Sequence, residues 1–170
     1  MDDQNPYRSP DAVVAEISEG GGLADRGTRL GAAIVDTLIL LVILGPLMFF
    51  GGYWSGAMAA AERGQQVGLG TTLMWAALGF GVFVLVQFVP LNATGQTWGK
   101  KVLGIKIVDL AGAKPPIGRL LGARYLPMQL LGNVPFVGPV LAIVNVLLIF
   151  RGDRRCGHDL VAGTQVVKAR

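Results

Sequence analysis

Two long stretches of this chain carry almost no charge, and the rest is arranged around them. Residues 30–50 hold Asp36 as their one charged residue, and residues 71–91 hold none. Each is 21 residues long, the length an α-helix needs to cross the hydrocarbon of a bilayer. In the first stretch thirteen residues are Leu, Ile, Val or Phe, each favouring insertion by roughly 0.3–0.6 kcal/mol against a penalty of about 2.5–3.5 kcal/mol for a central Asp. Insertion wins. The pair Gly45-Pro46 predicts a kink and Gly51-Gly52 an end to this span, because proline removes a backbone donor. Residues 53–70 read as a loop, although Gly52, Gly56 and Ala60 stand at the spacing that lets helices approach closely. Trp75 sits near one end of the second span as an interfacial anchor, and Pro90 marks the other end.

The third apolar region, 117–150, admits two readings by pattern alone. Residues 125–150 form an uncharged run of 26, long enough for one span. Alternatively, one helix covers 117–132, a turn falls at Asn133-Val134-Pro135, and a second helix covers 136–150. Charge decides between them. Of 15 Lys and Arg residues, three precede the first span, one lies between the first two spans, and eleven lie from Lys100 to Arg170. Basic residues stay cytoplasmic, so the amino-terminal segment, the 92–118 loop and the carboxy-terminal tail share that side. The region between must then cross an even number of times, and we expect the hairpin, with arms short enough to be tilted or re-entrant. The expected fold class is an all-α membrane protein: a four-helix transmembrane bundle with spans at about 30–50, 71–91, 117–132 and 136–150, in a domain covering 23–170. Residues 105–108 and 164–167 are β-branched at three of four positions and predict a small two-stranded β element at the cytoplasmic surface.

Composition agrees with this frame. A chain of 170 residues that is 52% hydrophobic and 15% charged, with a mean hydropathy of +0.52, is a small polytopic membrane protein whose first partner is the lipid bilayer. Its net charge of +4 would suggest nucleic acid in a soluble protein. Here the basic residues flank apolar segments and set topology, so no nucleic acid is expected. Residues 1–22 are polar and acidic and end in three glycines, the composition of a flexible cytoplasmic tail. They lack the basic and short apolar regions of a cleaved signal, which leaves the first span as the expected targeting signal.

The chemistry available is sparse. One cysteine, Cys156, and one histidine, His158, form neither a disulfide nor a cysteine-based zinc site. The glycines from Gly95 onward lack the spacing of a phosphate loop, and no nucleophile motif accompanies His158 and Asp159. We therefore expect no enzyme, no cofactor and no bound metal. What remains is charge in unusual places. Arg29 and Asp36 are seven residues apart, close to two helical turns, so they share one face. Asp36 would lie roughly 9 Å inside the hydrocarbon, where a carboxylate must face protein or water. It either moves an ion or pairs with a base to lock helices together. Arg124, well inside the third helix, is the plausible partner for Asp36; Arg119 can snorkel to the surface. Asp25 and Arg29 form an i,i+4 pair of favourable orientation. In the tail, Asp159 suits the start of a short helix, and His158 beside it either caps that helix or holds a proton.

With these residues in place the chain resembles the RDD family of bacterial membrane proteins, named for one arginine and two aspartates. Three blocks carry the resemblance: residues 29–36, residues 95–109, and His158-Asp159-Leu160-Val161-Ala162-Gly163-Thr164. The middle block is similar to that family's Gly-x-Thr/Ser-x-Gly-Lys-x-x-x-Gly pattern. The resemblance implies that Arg29, Asp36 and Asp159 are the naming residues and that the chain resides in the bacterial cytoplasmic (inner) membrane. It also implies a link to transport, since some relatives are linked to sodium–proton exchange, and the residues themselves leave two functional classes open. One is a transporter for a proton or monovalent cation in which Asp36, Arg29, Arg124, Asp159 and His158 relay charge. The other is a scaffold whose charged residues form an internal clamp. Four short helices are few to enclose a pathway, so transport would call for a homo-oligomer.

Overall fold

The computed structural model describes residues 22–132 and 137–169. The expected tail, apart from Gly22, and the expected turn at Asn133-Val134-Pro135 lie outside them. The architecture is mostly helical with one small sheet. Helices α1 (Arg26–Phe50) and α3 (Leu69–Thr94) are 25 and 26 residues long, with apolar windows of mean hydropathy 2.4 and 2.0. Both are long and apolar enough to cross a membrane. Leu38, Leu41, Val42 and Phe49 of α1, and Leu73, Met74, Leu85 and Val89 of α3, are exposed. A helix that keeps apolar side chains outward is solvated by lipid rather than by water.

Pro46 lies within α1, which continues to Phe50 and stops at Gly51. Gly51 is a packing requirement as well as a stop. A Cβ there would sit 2.6 Å from the Trp75 ring and 2.6 Å from the Leu47 carbonyl oxygen. The expected loop at 53–70 is in part a helix, α2 (Tyr53–Glu62). Its Ala-rich sequence has high helix propensity, and Gly52, at φ +77°, supplies the left-handed turn that starts it. The Tyr53 ring meets Trp75 edge-on at 5.5 Å.

After α3 the chain forms a short helix, α4 (Trp98–Val102), capped by the Thr97 hydroxyl, and then strand β1 (Ile105–Asp109). From Ile117 the backbone is helical through α5 (Ile117–Arg119), a π-helical segment (Leu120–Tyr125) and α6 (Leu126–Gly132). Helix α7 (Val137–Leu147) ends in a 3-10 turn at Leu148–Phe150. The chain closes with α8 (Gly157–Ala162) and β2 (Thr164–Lys168). The two long helices and the small sheet match expectation, while the remaining apolar region is made of these shorter pieces.

The strands pair antiparallel, with Ile107 opposite Val166. The start of the chain joins them: Leu23 bridges Val167, and the Ala24 N–H donates to the Val166 carbonyl at 3.0 Å. Ala24, Ala32, Leu91, Ile105, Ile107, Leu120 and Val166 form the buried core, with Phe83, Ile117, Leu121 and Tyr125 packed around it. The core therefore sits where the sheet meets the ends of the long helices, and it surrounds the charged residues.

Candidate functional site

Helix α8 positions the most buried carboxylate. Cys156 is its N-cap, and the Asp159 Oδ2 accepts the Cys156 N–H at 3.1 Å, an arrangement favoured by the partial positive charge at a helix start. Two guanidinium groups close on the same carboxylate. Arg29 Nη2 donates to Oδ2 and Arg124 Nη1 to Oδ1. Arg124 also donates to the Thr164 hydroxyl at 2.6 Å, and that hydroxyl lies 3.3 Å from Asp159 Oδ1. Asp159 is fully buried, Arg124 is 1% exposed and Arg29 is 9% exposed. Arg29 further donates to the carbonyl of Arg154, a residue at φ +51°. Arg155 holds the α8 backbone from the other side, reaching the Asp159 carbonyl at 3.1 Å and the Thr164 carbonyl at 3.0 Å.

The π-helical winding explains how Arg124 gets there. Residues five apart diverge by about 140° on an α-helix, whereas the i→i+5 bonding of a π-helix stacks them. Arg119 and Arg124 accordingly face the same element. Arg119 donates to the Ala162 carbonyl at 2.7 Å at the end of α8, while Arg124 meets Asp159 at its start.

Burial alone would push the Asp159 carboxyl up, but Arg124 and Arg29 outweigh it, aided by the Cys156 N–H, and hold it well below the usual carboxylate range. His158 responds the other way. Its N–H donates to Asn145 Oδ1 at 3.1 Å, so the 3.0 Å contact between that oxygen and Nδ1 has Nδ1 donating. Burial, reinforced by Arg124, pushes His158 down to about 3. The folded state thus refuses a proton that the unfolded chain accepts near 6.5. Stability contributed by neutral His158 is present above that value and is lost as pH falls toward 3. Thermal unfolding followed from pH 7 to pH 5 should show a falling midpoint, and the fall should be smaller in His158→Asn. An unchanged slope in the variant would assign the acid sensitivity elsewhere.

Cys156, His158 and Asp159 have potential ligand atoms within 4.8 Å of one another, yet their surroundings oppose a cation. Arg29 Nη2 lies 3.7 Å from Cys156 Sγ and also bonds Asp159. Burial pushes the Cys156 thiol up, away from the thiolate that binds metals. The group is a capped and neutralised helix start.

Asp36 belongs to a second cluster. Its Oδ1 accepts the Gln87 amide at 2.9 Å and the Gly99 N–H at 2.8 Å, and its Oδ2 accepts the Thr97 hydroxyl. Lys100 Nζ stands 3.9 Å from Oδ2. Gln87 in turn accepts the Trp98 N–H at 2.9 Å. One carboxylate therefore ties α1 to α3 and α4. The contact is intimate, because a Cβ on Gly99 would run into the Ala32 carbonyl oxygen and the Asp36 carboxyl.

The structure thus brings Arg29, Arg124, Asp159 and His158 together and keeps Asp36 apart. Arg124 is not the partner of Asp36, since it is committed to Asp159 and Thr164 by the π-helical turn. Nor does Asp25 pair with the Arg29 side chain. Asp25 instead meets Lys168 at 3.3 Å and Arg154 at 3.5 Å, because Arg29 points inward. Sequence reasoning missed Gln87, Thr97, Gly99 and Thr164. Gln87 had a signal: it is the one amide in the apolar 71–91 stretch. Thr97, Gly99 and Thr164 lie in blocks whose patterns were visible without their geometry.

Long lipid-type helices joined to a compact polar cap, with paired arginines on one buried aspartate, define a membrane-associated helical class. Residues 23–163 match the RDD family, and the chain belongs to that family. It is 29% identical to the uncharacterized protein YckC of Bacillus subtilis (strain 168), over 83% of this chain and 82% of that protein. An uncharacterized protein of Haemophilus influenzae (strain Rd) is 29% identical over 61% of this chain and 65% of its own length. The uncharacterized protein YxaI of Bacillus subtilis is 32% identical over 42% of each. No solved structure matches the chain.

Proposed function

We propose that the chain is a multi-pass protein of the bacterial cytoplasmic membrane that serves as a scaffold or assembly module, its Arg and Asp residues acting as internal clamps. One observation carries this reading: Asp159 is fully buried and bonded by two arginines, neither of which is more than 9% exposed. An ion relay needs a group that exchanges partners with water, and this carboxylate has none to exchange. The asymmetry of basic residues supports placing the first residues of α1, the sheet and α8 on the cytoplasmic side. We read the chain as non-enzymatic, because its one cysteine and one histidine are engaged in capping α8 and holding Asn145.

A transport reading has one feature in its favour. Asp36 has neutral donors at hydrogen-bond distance and an ammonium only at 3.9 Å, and 14% of its side chain is exposed. A cation or proton bound there, in a homo-oligomer that completes a pathway, is the competing function. Proteoliposomes separate the two. The purified chain should give no sodium- or proton-dependent flux above that of empty vesicles, and Asp36→Asn should leave this background unchanged. Flux that is present in the native chain and lost in Asp36→Asn would overturn the scaffold reading.

A further inference from the structure

A cavity of about 420 Å³ opens between the first turns of α1, the end of α7 and α8. Its polar lining is cationic. Arg26, Arg29, Lys100 and Arg124 border it, together with His158 and Asn145. Its walls are apolar, built from Leu30, Ala33, Val146, Ile149 and Phe150. Such a volume is in the range of small-ligand sites, roughly 300–1,000 Å³.

Charge here does not balance. Asp159 serves both Arg29 and Arg124, and Asp36 stands beside Lys100. Arg26 has no carboxylate partner among the described residues. Its Nε donates to the Ile149 carbonyl at 3.2 Å, its Nη2 to the Phe150 carbonyl at 3.5 Å, and its guanidinium lies 5.6 Å from the centre of the Phe150 ring. His158 is neutral at physiological pH. Four cations thus face two carboxylates, and both carboxylates are already bonded. Lys100, with 14% of its side chain exposed, and the buried Arg29 and Arg124 are poorly hydrated, while Arg26 stands exposed at the rim, so an anion that enters gains charge-assisted hydrogen bonds.

The walls say what kind of anion. Leu30, Val146 and Phe150 are 55%, 52% and 66% exposed, so the recess opens onto an apolar surface. A free inorganic anion would leave that surface uncovered, whereas a hydrocarbon chain would cover it. Arg29 and Arg124 join the recess to α8, and Arg26 marks its rim at the Ile149 and Phe150 carbonyls, next to the apolar edge formed by α1 and α7, so a charged headgroup and an attached chain can both be met. We propose that this cavity binds an acidic membrane lipid, its phosphate between Arg26 and Lys100 and its chain against Leu30, Val146 and Phe150. The inference rests on the membrane placement proposed above and extends it to a specific ligand class.

The test uses the full chain purified in neutral detergent, with bound lipid read by native mass spectrometry and stability by thermal unfolding. Phosphatidic acid should bind and raise the unfolding midpoint, and phosphatidylcholine with the same chains should do neither. Inorganic phosphate at millimolar concentration should leave the midpoint unmoved. Arg26→Gln removes a rim charge outside both clamps and should weaken phosphatidic acid binding about tenfold. Lys101→Gln, an exposed cation outside the cavity, should bind as the native chain does. Val146→Trp fills the recess and should abolish binding while the protein stays folded. Equal binding of the two lipids, native-like binding by Arg26→Gln or Val146→Trp, or an equal effect of inorganic phosphate would each overturn the lipid site. A chain that fractionates with soluble protein fails the membrane reading itself. One that fractionates with membranes but treats both lipids alike fails only this inference.

Discussion

Replacing Asp159 with Asn is expected to cost more stability than any other single change in this chain. Asn keeps the size of the side chain and can still accept the Cys156 N–H, so the start of α8 stays capped. Only the charge is lost. Two guanidinium groups, 1% and 9% exposed, are then left without a counter-ion where little water reaches them. Removing one partner of a buried ion pair costs about 3–5 kcal/mol, because the other partner stays behind unpaired. For a chain of this size that corresponds to a midpoint lower by about 10 °C, or to a failure to recover folded protein from detergent. Adding Arg124→Met to Asp159→Asn removes one stranded charge and should restore part of the loss. A single variant melting within about 2 °C of the native protein would show that the cluster does not hold the fold, and would free Asp159 for another role.

Gly99→Ala is the second large effect. The new methyl has no room, since it meets the backbone of α1 at the Ala32 carbonyl, and the Asp36 carboxyl carbon 2.9 Å away. Separating α4 from α1 also stretches the Gly99 N–H bond to Asp36. Overpacking costs about 1–3 kcal/mol, and a hydrogen bond to a charged group contributes about 1.5–3 kcal/mol. The midpoint should therefore fall by about 5–10 °C. Gly31→Ala, on the facing helix α1, is the control. Its Cβ would lie 3.0 Å from one terminal methyl of Leu103, which can turn aside, so the change should be small. Equal melting of the two variants would mean that α1 and α4 do not depend on this close approach.

Much of the fold was legible because hydrophobic length is a strong signal. Residues 30–50 and 71–91 announce helices α1 and α3 through composition alone, and β-branching at 105–108 and 164–167 announces the strands. The helix at Tyr53–Glu62 was less visible, since its alanines and Gly56 carry no apolar period to read. The site divides along the same line. Arg29 with Asp159 was foreseeable from two charges expected at one surface. Arg124 was assigned to Asp36 because an α-helical reading gives no reason to turn it toward α8. The π-helical turn supplies that reason, and nothing in Leu120-Leu121-Gly122-Ala123-Arg124-Tyr125 marks it in advance. The partners of Asp36 are neutral groups on α3 and α4, and a search for opposite charge passes over them.

The joining of Leu23 and Ala24 to Val166 and Val167 has a consequence for biosynthesis. A ribosome delivers the chain from its amino-terminal end, so α1 is made long before the segment that neutralises it. Asp36 finds Gln87, Thr97 and Gly99 within about 60 residues of synthesis, whereas Arg29 waits for Arg154 and Asp159, 125 and 130 positions later. Closing so long a loop is entropically unfavourable until its contacts form. The nascent protein therefore lacks the partners of the Arg29 side chain until Asp159 has been made. A chain stopped before Asp159 would leave Arg29 without its carboxylate, although α1, α3 and α4 could already close around Asp36.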